Sequence, residues 1–288
     1  MKGRYKDLNL KKYAVKKEII DMFETYSTLF DARGHLYHQA MKDFPAARKA
    51  EFDTVIDWLD LTSGMSICDV PSGGGYLSNY ITHNNINFYF VETSQVFSDA
   101  ANILCNKAKQ DIDNIRGASY KNIVCDSITT IPLNSDSVNR VVSLSGLHHE
   151  VDPPRFYTEA ARLLSDDGLL VLADVKEGSG VAGFLNEFVD QHSSMGHEGR
   201  FFCEQTLVDV EQSGYTIIAT AHEHYTWRFS STDEMVNYCK MLFGIDEADN
   251  ATILKAINDY LGYTETEKNC LMNWDLMFIK AAKSKSIL

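Results

Sequence analysis

The stretch CDVPSGGGYLSNYI, Cys68 to Ile81, decides how the rest of the chain is read. It enters on apolar residues, passes through three glycines and leaves with helical composition. A glycine-rich turn of this kind lets a ligand approach the backbone, because Gly73 and Gly75 tolerate positive φ and carry no Cβ. It is not a P-loop, since no Gly-Lys-Ser/Thr follows. It also departs from the dinucleotide fingerprint, because Ser78 stands where that pattern wants Gly or Ala. Pro71 occupies the place where such loops usually carry their first glycine. Proline holds φ at about −65° and donates no N–H, so the conformational freedom of the turn falls on Gly73, Gly74 and Gly75.

Working outward, strand-like and helix-like segments alternate. The strands expected are MSICDV, NFYFVE (Asn87–Glu92), Tyr120–Cys125, Asn139–Ser145, Gly168–Val175, Tyr215–Ala221 and Asp275–Lys283. Helices are expected at Tyr76–His83, Val96–Gln110, Pro154–Leu164 and Val181–Gln191. Such alternation predicts an α/β fold with a doubly wound parallel sheet. Upstream, Ile19, Ile20, Phe23, Tyr26 and Leu29 recur at helical spacing, and a second helix is expected from Pro45 through Phe52, Val55, Ile56 and Leu59. The segment between the last two strands holds two more helical stretches, the first capped by Ser231 or Thr232 ahead of Glu234. The organisation expected is a helical N-terminal cap at 1–60, an α/β core at 61–225 and 270–288, and a helical insert at 226–269.

The chain has 288 residues and a net charge of −13. That charge repels phosphates, so nucleic acid and anionic membranes are poor partners and a small molecule is the better one. No apolar run reaches the ~18 residues of a membrane span. The basic start lacks the apolar core of a secretory signal. Six scattered cysteines without a CxxC pair read as reduced structural thiols of a cytoplasmic protein. Oligomeric state is unreadable.

Doubly wound sheets bind ligands at the carboxyl ends of their strands. Glu92 ends the second strand, where a carboxylate can accept from both hydroxyls of a ribose. Asp126 follows the third, where it can accept from an adenine amino group. At this point SICDVPSGGGYL, FYFVE and VCDSITTIPLNSDSVNRVVSLSGLHHEVDPPRFYTEAARLLSDDGLLVLADV resemble, in order, the successive motifs of class I S-adenosylmethionine-dependent methyltransferases. The resemblance covers roughly Asp53 to Ala221, with the last strand. It implies a seven-stranded, mostly parallel Rossmann-like sheet with its final strand inserted antiparallel. It implies S-adenosylmethionine as cofactor: Asp69, Pro71, Ser72, Gly73 and Gly75 at the amino acid end, Glu92 at the ribose, Asp126 and Ser127 flanking the adenine with Cys125 beneath, and Leu144–Ser145 under the methionine. Two positions depart from the pattern: Pro71, and Asn139-Arg140 where the family commonly carries an aromatic-Asp pair.

Methyl transfer from a sulfonium asks the protein to align the acceptor, exclude water and, for some acceptors, remove a proton. His148 and His149, after the fourth strand, are the candidate bases. Arg33, Tyr37, His192, His197, His224 and Trp227 are candidate substrate contacts; in the mixed polar-aromatic stretch Asp31–Ala40, Arg33, His35, Tyr37 and His38 are expected to close over the cofactor or to grip a carboxylate-bearing acceptor. A carboxylated cofactor would likewise call for a cationic residue near the methyl. His222 and His224 lie two apart with Cys203 elsewhere, but no metal site is expected from this spacing. The function expected is methyl transfer to a small soluble metabolite or biosynthetic intermediate. The rivals are a non-catalytic nucleotide-binding protein and a nicotinamide-dependent oxidoreductase.

Overall fold

A computed structural model describes residues 26–110 and 117–284. In chain order the helices are α1 (Tyr26–Asp43), α2 (Lys49–Leu59), α3 (Gln95–Gln110), α4 (Pro153–Leu163), α5 (Gly180–Gly183, continued as a π-helical segment Phe184–Val189 and closed by Asp190–His192), α6 (Glu204–Gln212), α7 (Thr232–Phe243) and α8 (Asn250–Ala256, extended by a π-helical Ile257–Leu261). The strands are β1 (Ser66–Asp69), β2 (Asn87–Glu92), β3 (Ser119–Val124), β4 (Val138–Leu144), β5 (Leu164–Asp174), β6 (Tyr215–Phe229), β7 (Tyr263–Glu265) and β8 (Cys270–Lys283).

The sheet order is β3-β2-β1-β4-β5-β8-β6, with β7 paired to β8. The first five strands of that order run parallel. β8 lies antiparallel between β5 and β6. After β1 the chain moves outward to β2 and β3, then returns to β4 on the other side of β1. The carboxyl ends of β1 and β4 therefore form the switch point where a doubly wound sheet opens a ligand crevice. Each strand divides its side chains between two faces. Ile67 joins one apolar cluster with Phe52, Leu59 and Phe90, while its neighbour Cys68 joins another with Phe156, Leu163 and Val210.

Several expectations are corrected. Tyr76–His83 is only a short 3-10 turn, Tyr76–Tyr80; its Ser78 hydroxyl donates to the Gly75 carbonyl at 2.8 Å, a local bond that competes with a regular helix. Pro45 precedes α2 instead of starting it. β6 extends well beyond Ala221 to Phe229, paired with β8 along its length, so AHEHYTWRF is strand and not loop. The sheet has an eighth strand, β7, and α6 was not expected. Ile19, Ile20 and Phe23 lie outside the described residues, whereas Tyr26 and Leu29 fall in α1. The Ser231 cap is present: its hydroxyl accepts from the Glu234 N–H at 3.2 Å. All six cysteines are free. Among the described residues no helix is long and apolar enough to cross a membrane.

α1 crosses the crevice as a lid. Asp31 ties it to the start of α3, accepting from the Ser94 hydroxyl at 2.8 Å and the Val96 N–H at 3.3 Å.

Candidate functional site

The glycine-rich loop is held at both ends by the sheet. Val70 donates to the Val142 carbonyl at 2.9 Å and Ser72 to that of Val91 at 3.1 Å. The Val70–Pro71 peptide is cis, and Gly73, Gly74 and Gly75 all take positive φ, at 56°, 99° and 79°. A side chain at Gly74 is excluded twice over, since its Cβ would also lie 2.8 Å from His38. Gly146 is required by contact instead, because a Cβ there would sit 2.4 Å from Pro71 Cγ. The proline thus packs flat against the turn that follows β4.

Glu92 is fully buried behind this loop. Its Oε1 accepts from the Gly73 N–H, from the Ser72 hydroxyl at 3.3 Å and from the Tyr26 hydroxyl at 3.4 Å. Its Oε2 is buried with no partner among the described residues. Burial pushes the carboxyl up to about 8, against the pull of those hydrogen bonds. An unpaired, solvent-free carboxylate oxygen beside a glycine-rich turn fits a vicinal diol, which supplies the missing donors. Asp69, at the end of β1, is also buried and pushed up by burial and by Glu92. The donor set therefore fits an adenosine carrying a cationic tail.

Two contiguous cavities open here, sharing Tyr26, Pro71, Gly146 and His149. The smaller in total space, about 590 Å³ counted with the solvent at its mouth, is walled by Thr93, Asp126, Ser127 and Ile128 after β2 and β3. The larger, about 890 Å³ and partly open to solvent, reaches from Asp69, Ser72, Gly73, Leu144 and Ser145 to the lid. Tyr26, Phe30, Arg33 and Tyr37 of α1 line it, and their spacing puts them on one helix face.

The far wall carries a buried network. Arg48 grips Glu51 through Nε at 2.9 Å and Nη2 at 2.5 Å, and its Nη1 donates to the Tyr37 hydroxyl at 2.7 Å. Trp227 Nε1 donates to Glu51 at 2.7 Å, and its ring stacks on Trp274 at 4.2 Å. Arg48 is thus neutralised, whereas Arg33 has no carboxylate partner among the described residues. The Arg33 side chain is 9% exposed. It donates to the Leu242 carbonyl at 3.4 Å and lies over the Phe30 ring. Its Nε has no partner among the described residues, and burial lowers its pKa to about 10.

Three histidines form the floor of the larger cavity. His148 and His149 follow β4, and His197 comes from the segment after α5. Their ring centroids are 4.1, 5.2 and 5.4 Å apart. His148 Nδ1 lies 2.6 Å from Asp174 Oδ1. Asp174, ending β5, also accepts from the N–H groups of Leu147, His148 and Val175. Burial, together with neighbouring His148, His197 and Arg33, holds His149 well below the usual histidine range. His197 is lowered likewise, first by burial and then by His148 and Arg33.

Of the predicted residues, Asp69, Pro71, Ser72, Gly73, Leu144, Ser145, Arg33, Tyr37, His148, His149, His197 and Trp227 line the larger cavity, and Asp126 and Ser127 the smaller. Glu92 stands just behind the loop. Gly75 packs on the Phe90 ring instead of facing the cavity. Cys125 turns its thiol to the Glu92 carbonyl at 3.8 Å. Two substrate candidates are displaced. His192 packs on Phe188 at the end of α5. His224 is exposed on the edge strand β6, beside His222, whose Nε2 lies 2.6 Å from Asp275. Cys203 caps α6 and joins neither histidine group. The sequence reading missed Tyr26, Phe30, Arg48, Glu51 and Trp274. The i, i+4, i+7, i+11 spacing of Tyr26, Phe30, Arg33 and Tyr37 was the available signal for the first two.

The family model described as methyltransferase domain matches residues 68–172. No curated protein matches the chain. Several solved structures share the fold. The [4+2]-cyclase SpnF is 16% identical, with a TM-score of 0.60 over 91% of this chain and 96% of its own. The Haemonchus contortus phosphoethanolamine N-methyltransferase 2, solved with phosphomonomethylethanolamine and S-adenosylhomocysteine, is 15% identical, with a TM-score of 0.57 over 88% of this chain and 58% of its own. The Streptomyces coelicolor A3(2) geranyl diphosphate C-methyltransferase, solved with Mg2+, geranyl diphosphate and S-adenosylhomocysteine, is 12% identical, with a TM-score of 0.52 over 86% of this chain and 83% of its own.

Proposed function

Residues 68–172 are a class I S-adenosylmethionine-dependent methyltransferase domain, and from that premise we propose that the protein methylates a small acceptor bearing an anionic group, held beneath α1 by Arg33. The bound cofactor supplies an activated methyl group on a sulfonium. Glu92 would accept from the ribose hydroxyls, Asp126 and Ser127 would border the adenine, and Asp69 with the loop of Ser72 and Gly73 would receive the amino acid end. Leu144 and Ser145 would lie under the methionine part. These assignments rest on the fit of the donor set and on the family's motifs.

The observation that carries the acceptor class is Arg33. It lines the cavity, is buried, and lacks a carboxylate among the described residues. A guanidinium in such a place is stabilised by an incoming carboxylate or phosphate, which brings both charge and paired acceptor oxygens. Two fold neighbours were solved with anionic small molecules, phosphomonomethylethanolamine and geranyl diphosphate, which agrees with this class. Tyr37 and Trp227 would shape the apolar wall. His148 and His149 offer ring nitrogens at the acceptor's reacting end and would receive its proton where the acceptor carries one. The lid α1 and the aromatic wall exclude water from the transfer.

The test is incubation of the protein with methyl-labelled S-adenosylmethionine and a panel of small carboxylates, phosphates and matched neutral analogues. The expected result is label transfer to an anionic member and none to its neutral analogue. Transfer to neutral acceptors alone defeats the Arg33 reading. Binding of S-adenosylhomocysteine with no transfer to any acceptor in a broad metabolite extract favours the non-catalytic rival, for which the cyclase neighbour is a reminder that this fold hosts other chemistry.

A further inference from the structure

We propose that His148, His149 and His197 form a site for one divalent transition-metal ion of the zinc, cobalt or nickel class, open to the acceptor cavity. The site goes beyond the reading above: an ion bound there takes the lone pairs that would otherwise receive the acceptor's proton, and its binding does not depend on the acceptor's identity. Each residue offers one ring nitrogen, and these three atoms lie within 4.8 Å of one another. Three imidazoles with an open fourth position make a recognised ligand set for zinc and its neighbours.

The second layer sets the tautomers. Asn186 is pinned to one glycine at both ends of its amide. Its Oδ1 accepts from the Gly199 N–H at 2.9 Å, and its Nδ2 donates to the Gly199 carbonyl at 2.9 Å. The amide oxygen is therefore fixed as the atom 2.9 Å from His197 Nδ1. His197 Nδ1 must donate, which in a neutral ring leaves the Nε2 lone pair free. Asp174, already accepting three backbone N–H groups, imposes the same tautomer on His148. His148 and His197 thus each have a carboxylate or amide oxygen behind the ring, the arrangement that orients metal-binding histidines and raises their basicity.

A proton relay would need one such nitrogen; here ring nitrogens of three histidines lie within 4.8 Å of one another. With metal–nitrogen bonds of about 2.1 Å, tetrahedral ligand nitrogens stand about 3.4 Å apart. The rings must therefore close slightly on the ion. Arg33 opposes a second cation nearby, so an anionic oxygen in the open position completes the charge balance. That oxygen is supplied by hydroxide or by the acceptor. The only other such cluster among the described residues, His222, His224 and Asp275, lies on the surface of β6 and β8. There the His222 nitrogen already faces Asp275 at 2.6 Å.

The experiment strips the full chain with a chelator and titrates Co2+, by calorimetry and by the visible spectrum of four-coordinate cobalt. S-Adenosylhomocysteine binding is measured separately on every variant as the check of folding. One tight equivalent is expected. His197→Ala and His149→Ala should each lower the affinity more than 100-fold, Asn186→Ala by about 10- to 100-fold, and His224→Ala should leave it unchanged. Failure to bind Co2+ below millimolar concentration overturns the proposal. So does binding that survives His149→Ala and His197→Ala but is lost in His224→Ala. A chain that binds S-adenosylhomocysteine without Co2+ defeats only the metal site. One that binds Co2+ without S-adenosylhomocysteine defeats only the cofactor reading.

Discussion

Glu92 ought to make cofactor binding strongly pH-dependent and to leave the free protein less stable than it could be. In the ligand-free fold its carboxyl sits at about 8, raised from 4.5 by burial. At pH 7 only about a tenth of the molecules hold the carboxylate that two ribose hydroxyls require. Affinity for S-adenosylhomocysteine should therefore rise close to tenfold per pH unit from pH 6 to 7.5 and level off above 8. Near pH 7, binding should release about 0.9 proton to the buffer. The stability effect has the opposite direction. A folded pKa above the unfolded one means the native state binds the extra proton between 4.5 and 8, so stability falls as pH rises through that window. At pH 7 the protonation imposed by burial amounts to about 3 kcal/mol, from 2.5 units at about 1.36 kcal/mol each. Glu92→Gln removes that penalty. It should raise the melting temperature of the free protein at pH 7 while weakening S-adenosylhomocysteine by roughly 1–3 kcal/mol, the scale of a lost charge-assisted hydrogen bond. Calorimetry in two buffers of different ionisation enthalpy reads the released proton directly. Flat affinity from pH 6 to 8 in the native protein would refute the reasoning, as would an unchanged pH slope in Glu92→Gln. The second outcome would move the titration to Asp69 or to the ligand's own amine.

Three other substitutions test neighbouring parts of the site. Arg33→Met replaces a buried cation that has no carboxylate partner among the described residues with an apolar chain of similar length; it should raise thermal stability, leave S-adenosylhomocysteine affinity within twofold, and raise KM for an anionic acceptor at least tenfold. Glu51→Gln leaves Arg48 buried without its counter-charge and should cost about 3–5 kcal/mol in urea unfolding. Gly74→Ala sets a Cβ at φ 99° and 2.8 Å from His38; it should weaken S-adenosylhomocysteine by at least tenfold, with near-native circular dichroism as the check that the sheet survives.

What the sequence revealed follows from how far apart the interacting groups lie in the chain. The loop from Asp69 to Gly75 and the acid at Glu92 were readable because strand, turn and strand-end positions are local: period-2 burial and a run of glycines fix them within a few residues. β6 was cut short because HEHYTWRF mixes polar and aromatic residues. As an edge strand, β6 leaves half its side chains wet, and only its pairing with β8 keeps it extended to Phe229. The lid was harder still. Asp31–Ala40 read as a mixed polar-aromatic stretch, and only in the folded helix do Arg33 and Tyr37 share the face that lines the cavity.

The acceptor end was unreadable for a deeper reason. His148 and His197 are brought together only because α5 returns the chain across the end of β5, and no spacing rule links the two positions. The same holds for Arg33, whose significance is the absence of a counter-charge among the described residues. His222 and His224, two apart in the sequence, were not expected to hold a metal, and the strand sets them on the surface with His222 facing Asp275. Spacing nominates ligands; the second layer decides among them. Asp174 and Asn186, neither nominated by any motif for that role, are what leave two nitrogen lone pairs free on His148 and His197. Exchange at Asn186 is therefore the more telling test than exchange at a histidine. Asn186→Asp should keep the acceptor oxygen for His197 Nδ1 and retain Co2+ affinity at least as high as the native chain, whereas Asn186→Leu should lose it about 10- to 100-fold. Equal affinities in the two variants would mean that the ring orientation is set by packing alone, and the argument from tautomers would fall.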